Sequence, residues 1–119
     1  MAGTVTVTEE RLATVKKISW AWTSDASGDA DQVTSFPYTG VLERLVTDPG
    51  STAPTADYDV VVNDEDGVDV LMGAGADRHT STTEQVLASS LGCVVGDVLN
   101  LVVSNAGDTK EGTVHLYIR

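Results

Sequence analysis

The chain is poor in the residues from which active sites and covalent scaffolds are usually built. Its 119 residues include one cysteine, three prolines, two histidines and one phenylalanine, and aromatics make up only 5%. One cysteine cannot form an intrachain disulfide, so this is no disulfide scaffold. Cys93, in the apolar run Cys93-Val94-Val95, reads as a small buried hydrophobe rather than a nucleophile. Basic residues are scarce as well: Lys+Arg 7 against Asp+Glu 18 gives a formal net charge of −11. Such a surface repels phosphate backbones and anionic bilayers, so neither nucleic acid nor a membrane is expected as a direct partner. It suits a basic or mixed-charge protein. No apolar run approaches the roughly 20 residues of a membrane helix. The opening MAGTVTVTEE lacks the basic-then-apolar order of a signal peptide. A soluble protein made in a cytoplasm is the expectation.

The motifs of chemistry are missing too. His79 falls in a polar loop and His115 on a strand, with no Cys or His at zinc-ligand spacing. No Gly-x-Ser-x-Gly elbow occurs. Gly73-Ala74-Gly75 is a poor phosphate loop, because Arg78 stands where a dinucleotide fingerprint wants glycine and no Gly-Lys-Ser/Thr follows. The acids of Ser24–Asp31 are irregularly spaced and lack the bidentate Glu that closes a calcium loop. With Gly67 at the sixth position of such a loop, Val62 and Gly73 fall where carboxylates are required. Turn chemistry accounts for those acids, and no metal or cofactor is expected. A glycosidase-like carboxylate pair is not excluded by composition, but nearly all acids lie in turns or on outward strand positions.

What is present is strand patterning. A chain of this length buries roughly two-thirds of its surface on folding, enough for one core without metals or disulfides. The clearest stretch is Asp57–Met72, DYDVVVNDEDGVDVLM. Tyr58, Val60 and Val62 alternate with polar residues, then Val68, Val70 and Met72 alternate past a turn. Asp64-Glu65-Asp66-Gly67 reads as a type I turn with Gly67 in the following bulge. That three-residue loop sets Asp64 opposite Val68, Val62 opposite Val70 and Val60 opposite Met72. The same register sets Val61 opposite Leu71 on the outer face, which marks that pair as a candidate contact.

Elsewhere, Thr4–Thr8 is either a first strand or an arm ordered against a neighbour, with residues 1–10 the range concerned. Thr14–Thr23 is a longer strand with Ile18, Trp20 and Trp22 on one face; Trp pairs of this kind are core ballast more often than a stacking platform. Val41–Asp48 reads as a strand with Leu42, Arg44 and Val46 on one face, and Pro49–Ala56 as a connection. Residues 81–91 fit a short capped helix from Ser81 or a strand through Thr83–Ala88, and both stay open. Val98–Ser104 places Leu99, Leu101 and Val103 on one face. Gly112–Ile118 buries Val114, Leu116 and Ile118 and sends His115 and Tyr117 outward as candidate interface residues. Six or seven short strands with at most one short helix predict a single all-β domain. Its form would be an antiparallel β-sandwich, jelly-roll-like or Ig-like.

The MAGTVTVTEE opening, VKKISWAWTSDASG, YDVVVNDEDGVDVLMGAGADR and the NAGDTKEGTVHLYIR ending together resemble small β-rich structural proteins of tailed bacteriophages. The resemblance spans nearly the full length in layout, without a catalytic motif. It implies a non-enzymatic virion protein, most simply a head decoration or cement protein. Such a protein is present in many copies, often as trimers, on the capsid surface against the major capsid protein. Tail, adaptor and fibre roles belong to the same group. A carbohydrate- or receptor-binding module would require an exposed Trp20 or Trp22.

Overall fold

Strand β2 (Lys16–Thr23) shows why the chain folds as it does. Its alternate residues Ile18, Trp20 and Trp22 are all but fully buried, while Ser19, Ala21 and Thr23 face outward. Period-two patterning with β-branched and aromatic residues on one side favours a sheet covered on that side only. In the computed structural model, which describes residues 3–12 and 14–119, this strand sits inside a six-stranded antiparallel sheet. Its neighbours are β1 (Thr4–Arg11) and β9 (Glu111–Ile118), and beyond β9 lies β4 (Tyr38–Pro49). The far side of β4 is shared by β6 (Glu84–Leu87) and β7 (Cys93–Asp97). A second sheet stacks on the first, with β8 (Asn100–Ser104) between β3 (Ala30–Val33) and β5 (Asp59–Asn63).

The molecule is therefore an all-β antiparallel sandwich, as the patterning predicts. Ile18, Trp20, Trp22, Leu45, Val114, Leu116 and Ile118 of the first sheet meet Val60, Val62, Leu101 and Val103 of the second. Full burial of each such aliphatic side chain contributes about 1.5–3 kcal/mol before entropy is counted. The Trp22 and Tyr58 rings meet at a centroid distance of 5.6 Å and an angle of 51°. Burial pushes the Tyr58 hydroxyl up to about 12, against the opposing effect of the neighbouring Thr47 hydroxyl. Residues 81–91 resolve as strand β6 followed by a single 3-10 turn at Ala88–Ser90. Of the opening segment, Thr4–Arg11 is a strand paired along its whole length with β2; Met1 and Ala2 lie outside the described residues.

The hairpin at Asp57–Met72 keeps its register but loses its second strand. Asp64 N–H donates to Val68 O at 3.0 Å and Val70 N–H to Val62 O at 2.8 Å, the pairing expected from a three-residue loop. Asp64 Oδ1 accepts from Asp66 and Val68 N–H, and Gly67 sits at φ 80°, as the turn requires. Past Val70 the chain turns away. The Asp69 carboxylate accepts N–H bonds from Val62 at 3.2 Å, Leu71 at 3.0 Å and Gly73 at 3.0 Å, which replaces strand pairing by a local turn. Met72 and Gly73 then adopt positive φ. The turn swings Leu71 inward to full burial and leaves Met72 69% and Val68 60% exposed. The expected core places for Val68 and Met72 are thus corrected, and so is the outer-face place for Leu71.

Two further expectations change. A bulge at Glu43 puts one extra residue in β4 between Leu42, opposite Ile118, and Arg44, opposite Tyr117. Leu42 and Leu45 both face the core, and Arg44 with Val46 faces out, so Leu42 and Arg44 do not share a face. Cys93 is exposed: on the edge strand β7 it is Val94 that points inward, at 2% exposure, and its neighbours alternate outward. Edge strands β3 and β7 lie outside the strands that alternation predicts. Their Asp- and Gly-containing sequences, ADQV and CVVGD, carry too little alternation to announce a strand.

Candidate functional site

The outward face of the larger sheet carries a group of polar and aromatic side chains brought together by strand register. Cross-strand register places Glu10, Lys17, Tyr117, Arg44 and Leu87 in one rung across β1, β2, β9, β4 and β6. The adjacent rung holds Thr8, Ser19, His115, Val46 and Gln85. Lys17 Nζ lies 5.6 Å and Arg44 Cζ 5.0 Å from the Tyr117 ring centroid, so two cations share one π system. Arg44 Nε donates to Gln85 Oε1 at 2.8 Å, which fixes the guanidinium beside the ring. His115 Nδ1 and Ser19 Oγ are 2.8 Å apart. Burial, followed by the charge of Lys17, holds the His115 imidazole below its usual range, with Arg44 adding to this and Asp48 opposing it.

These cations are positioned by neutral groups. At the rim of the same sheet, Arg11 Cζ lies 3.6 Å over the Phe36 ring and Lys16 Nζ donates to Thr39 O. Among the described residues the one ion pair is Arg78–Glu84, at 3.8 Å and elsewhere on the surface. With 18 carboxylates in the chain, Lys17 and Arg44 nevertheless make no ion pair among the described residues. A sheet face with an imidazole, a phenol, two cations and the Glu10 carboxylate can meet a mixed-charge protein surface.

The smaller sheet presents a different face. Val61 pairs with Val102, and Asp31 pairs with Val102 from the other side. Beside them is an open depression of about 550 Å³ lined by Asp31, Gln32, Val33, Asp64, Glu65, Val98 and Asn100. A second, of about 320 Å³, lies on the larger sheet and is lined largely by Thr4, Thr6, Thr23, Thr113 and Glu111. Neither lining includes a histidine or cysteine, and among the described residues no group of three or more His, Cys, Asp or Glu side chains is arranged to hold a metal. The loop acids act on their own backbone: Asp25 Oδ1 accepts from Ser27 and Asp29 N–H, which lowers its pKa.

Of the residues singled out from sequence, His115 and Tyr117 do share one outward face and are neighbours on β9. Val61 lies on the other sheet, beside Val102 rather than Leu71, and Leu71 is in the core. Lys17 and Arg44 carry no interface signal in the sequence. The alternation of β2 did place Lys17 outward, but the bulge that rotates Arg44 into the same rung leaves no trace in a strand-period reading. Trp20 and Trp22 are 0% and 2% exposed, so neither presents the open ring face expected of a stacking platform.

No protein-family model matches the chain, and no curated protein matches it. Among solved structures it is similar to a cupin domain from Bordetella pertussis, at 15% identity and a TM-score of 0.41, over 99% of this chain and 94% of that one. At that level the similarity extends neither to activity nor to ligand.

Proposed function

We propose that this chain is a non-enzymatic structural protein of a tailed-phage virion, of the kind that decorates or cements the head. It acts in many copies against the major capsid protein at the capsid surface. The observation that carries this reading is where the functional groups lie: Lys17, Tyr117, Arg44 and His115 are spread over neighbouring strands of one outward sheet face and line neither depression. Interfaces favour Tyr and Arg on such faces. The layout resemblance to phage structural proteins supplies the setting. A protein that binds the assembled lattice but not free capsid subunits stabilises the shell by linkage. Purified protein added to expanded heads lacking it is expected to bind saturably and raise the temperature at which heads disrupt. No binding to heads would overturn the head role and leave the tail, adaptor or fibre assignment to be tested on tails in the same way.

A further inference from the structure

Strand β1 closes one side of the larger sheet. Among the described residues it pairs with β2 along its whole length and with no strand on its other side. It is anchored at both ends. Gly3 N–H donates to Asp29 O at 3.0 Å, and the Glu9 carboxylate accepts from Ser35 N–H, Phe36 N–H and the Tyr38 hydroxyl at 2.9, 3.2 and 2.7 Å. Between these anchors Thr4–Thr8 has no charge, proline or bulge, the devices that ordinarily blunt a sheet edge. The other edges are blunted or short. On β7 the Val95 and Gly96 N–H groups donate to Asp97 Oδ2 and Thr39 Oγ1. On β5, Val60 N–H donates to Gly75 O and Val62 O accepts from Val70 N–H, while β3 and β6 have four residues each. β3 passes close to β1 in the other sheet without pairing with it. Thr4, Thr6 and Thr8 are exposed on the outer face, and Val5 and Val7, on the inner face, are only half-buried.

The segment Thr4-Val5-Thr6-Val7-Thr8 reads the same in both directions. From this and the open edge we infer that two copies of the chain pair through β1, antiparallel about a two-fold axis at Thr6. Thr4 then lies opposite Thr8 of the second copy, Val5 opposite Val7, and Thr6 opposite Thr6. Outer threonines meet threonines and inner valines meet valines, so the two sheets join with matching faces. A register shifted by one residue would oppose Val to Thr and reverse one face. Centring the pair on Val7 instead would set Glu9 against Val5. In the Thr6 register Glu9 falls opposite Gly3 of the second copy, outside the paired window, and no like charges come face to face. The half-buried valines are the apolar area that the contact covers. The same patch serves both copies, so the contact is isologous and closes at two. Five paired residues cover well short of the about 800 Å² per partner of a standard interface, so the pairing is weak, with Kd on the order of 0.1 mM. The net charge of −11 on each copy opposes it, and the contact itself holds no ion pair; added salt therefore strengthens the association. The inference requires no capsid.

The test reads the register by disulfide trapping in the full chain, with the exposed Cys93 replaced by serine so that only introduced thiols react. Thr6→Cys sets two cysteines directly opposite, about 4.5–5.5 Å apart at Cα and within reach of a disulfide. Thr4→Cys or Thr8→Cys alone leaves the two cysteines four residues out of step, about 14 Å apart and beyond reach. Under mild oxidation Thr6→Cys is expected to give covalent dimer at least about tenfold faster than either. A mixture of the Thr4→Cys and Thr8→Cys proteins should trap the mixed dimer as readily as Thr6→Cys traps its own. With no thiol introduced, sedimentation equilibrium at about 1 mM chain should give a mass above the 12.5 kDa monomer that rises with salt. Thr6→Lys, which sets two like charges at the axis, should lower that mass to the monomer, and mixing it with Thr6→Asp should restore a one-to-one pair. Circular dichroism and thermal melts establish folding, and the trapping series decides alone if a charged variant unfolds. Equal trapping rates for the three single-cysteine variants, a wild type that stays monomeric at about 1 mM, or undiminished association of Thr6→Lys would each overturn the inference.

Discussion

Replacing Asp69 with alanine should measure the force that ends the hairpin. The Asp69 carboxylate accepts three backbone N–H bonds, from Val62, Leu71 and Gly73, at 3.0 to 3.2 Å. Val62 and Leu71 are fully buried residues of the core. A hydrogen bond to a charged acceptor contributes about 1.5–3 kcal/mol net when well enclosed, and an ordinary one about 0.5–1.5. Asp69 is only half-buried, so water replaces part of what is lost, and about 1–3 kcal/mol in total is expected for Asp69→Ala. For a chain of this size each kcal/mol lowers Tm by roughly 4 °C, which places the variant roughly 4–12 °C below wild type. Asp69→Asn keeps one acceptor oxygen for Val62 and Leu71 and loses the one facing Gly73, so it should fall between the two. The assay is urea unfolding followed by tryptophan fluorescence, with Trp20 and Trp22 buried reporters. Equal midpoints for wild type, Asn and Ala would refute the reasoning, because the turn would then be held by packing of Leu71 alone.

Gly112→Ala tests the tightness of the core. A Cβ there would lie 2.5 Å from Trp22 Cζ2 and 2.8 Å from Cε2, so the indole must move, at a cost of about 1–3 kcal/mol. A thermal midpoint within a degree of wild type would show that the ring has room. His115 gives a pH dependence with a definite sign. Its folded pKa is lowered, so the unfolded state takes up the proton first. The stabilising contribution is complete above the ordinary histidine range and is lost as pH falls through that range toward the folded value. His115→Gln should flatten the slope of Tm against pH between about 7 and 5.5; an unchanged slope would assign it to other groups.

Much of the fold was legible because burial on one side of a sheet imposes a period of two. Ile18, Trp20 and Trp22, then Leu99, Leu101 and Val103, then Val114, Leu116 and Ile118 could be assigned inward from alternation alone, and each is buried. The Asp64–Gly67 turn was equally legible, since its side chains bond backbone within a few residues. The candidate site was half legible. His115 and Tyr117 follow from the pattern of their own strand, but their cationic neighbours come from strands far away in the chain.

Local chemistry thus determined the strongly alternating strands β2, β8 and β9, their apolar faces and the Asp64–Gly67 turn, because those follow from interactions across a few residues. Tertiary structure decided what departs from a single period. The Glu43 bulge rotates Arg44 into line with Tyr117 and Lys17, and the Asp69 turn buries Leu71 and exposes Met72. Pairing at an edge leaves Cys93 exposed beside buried Val94. The bulge and the edge pairing are fixed by strands whose nearness is created by folding, and the Asp69 turn by bonds that a strand period does not record.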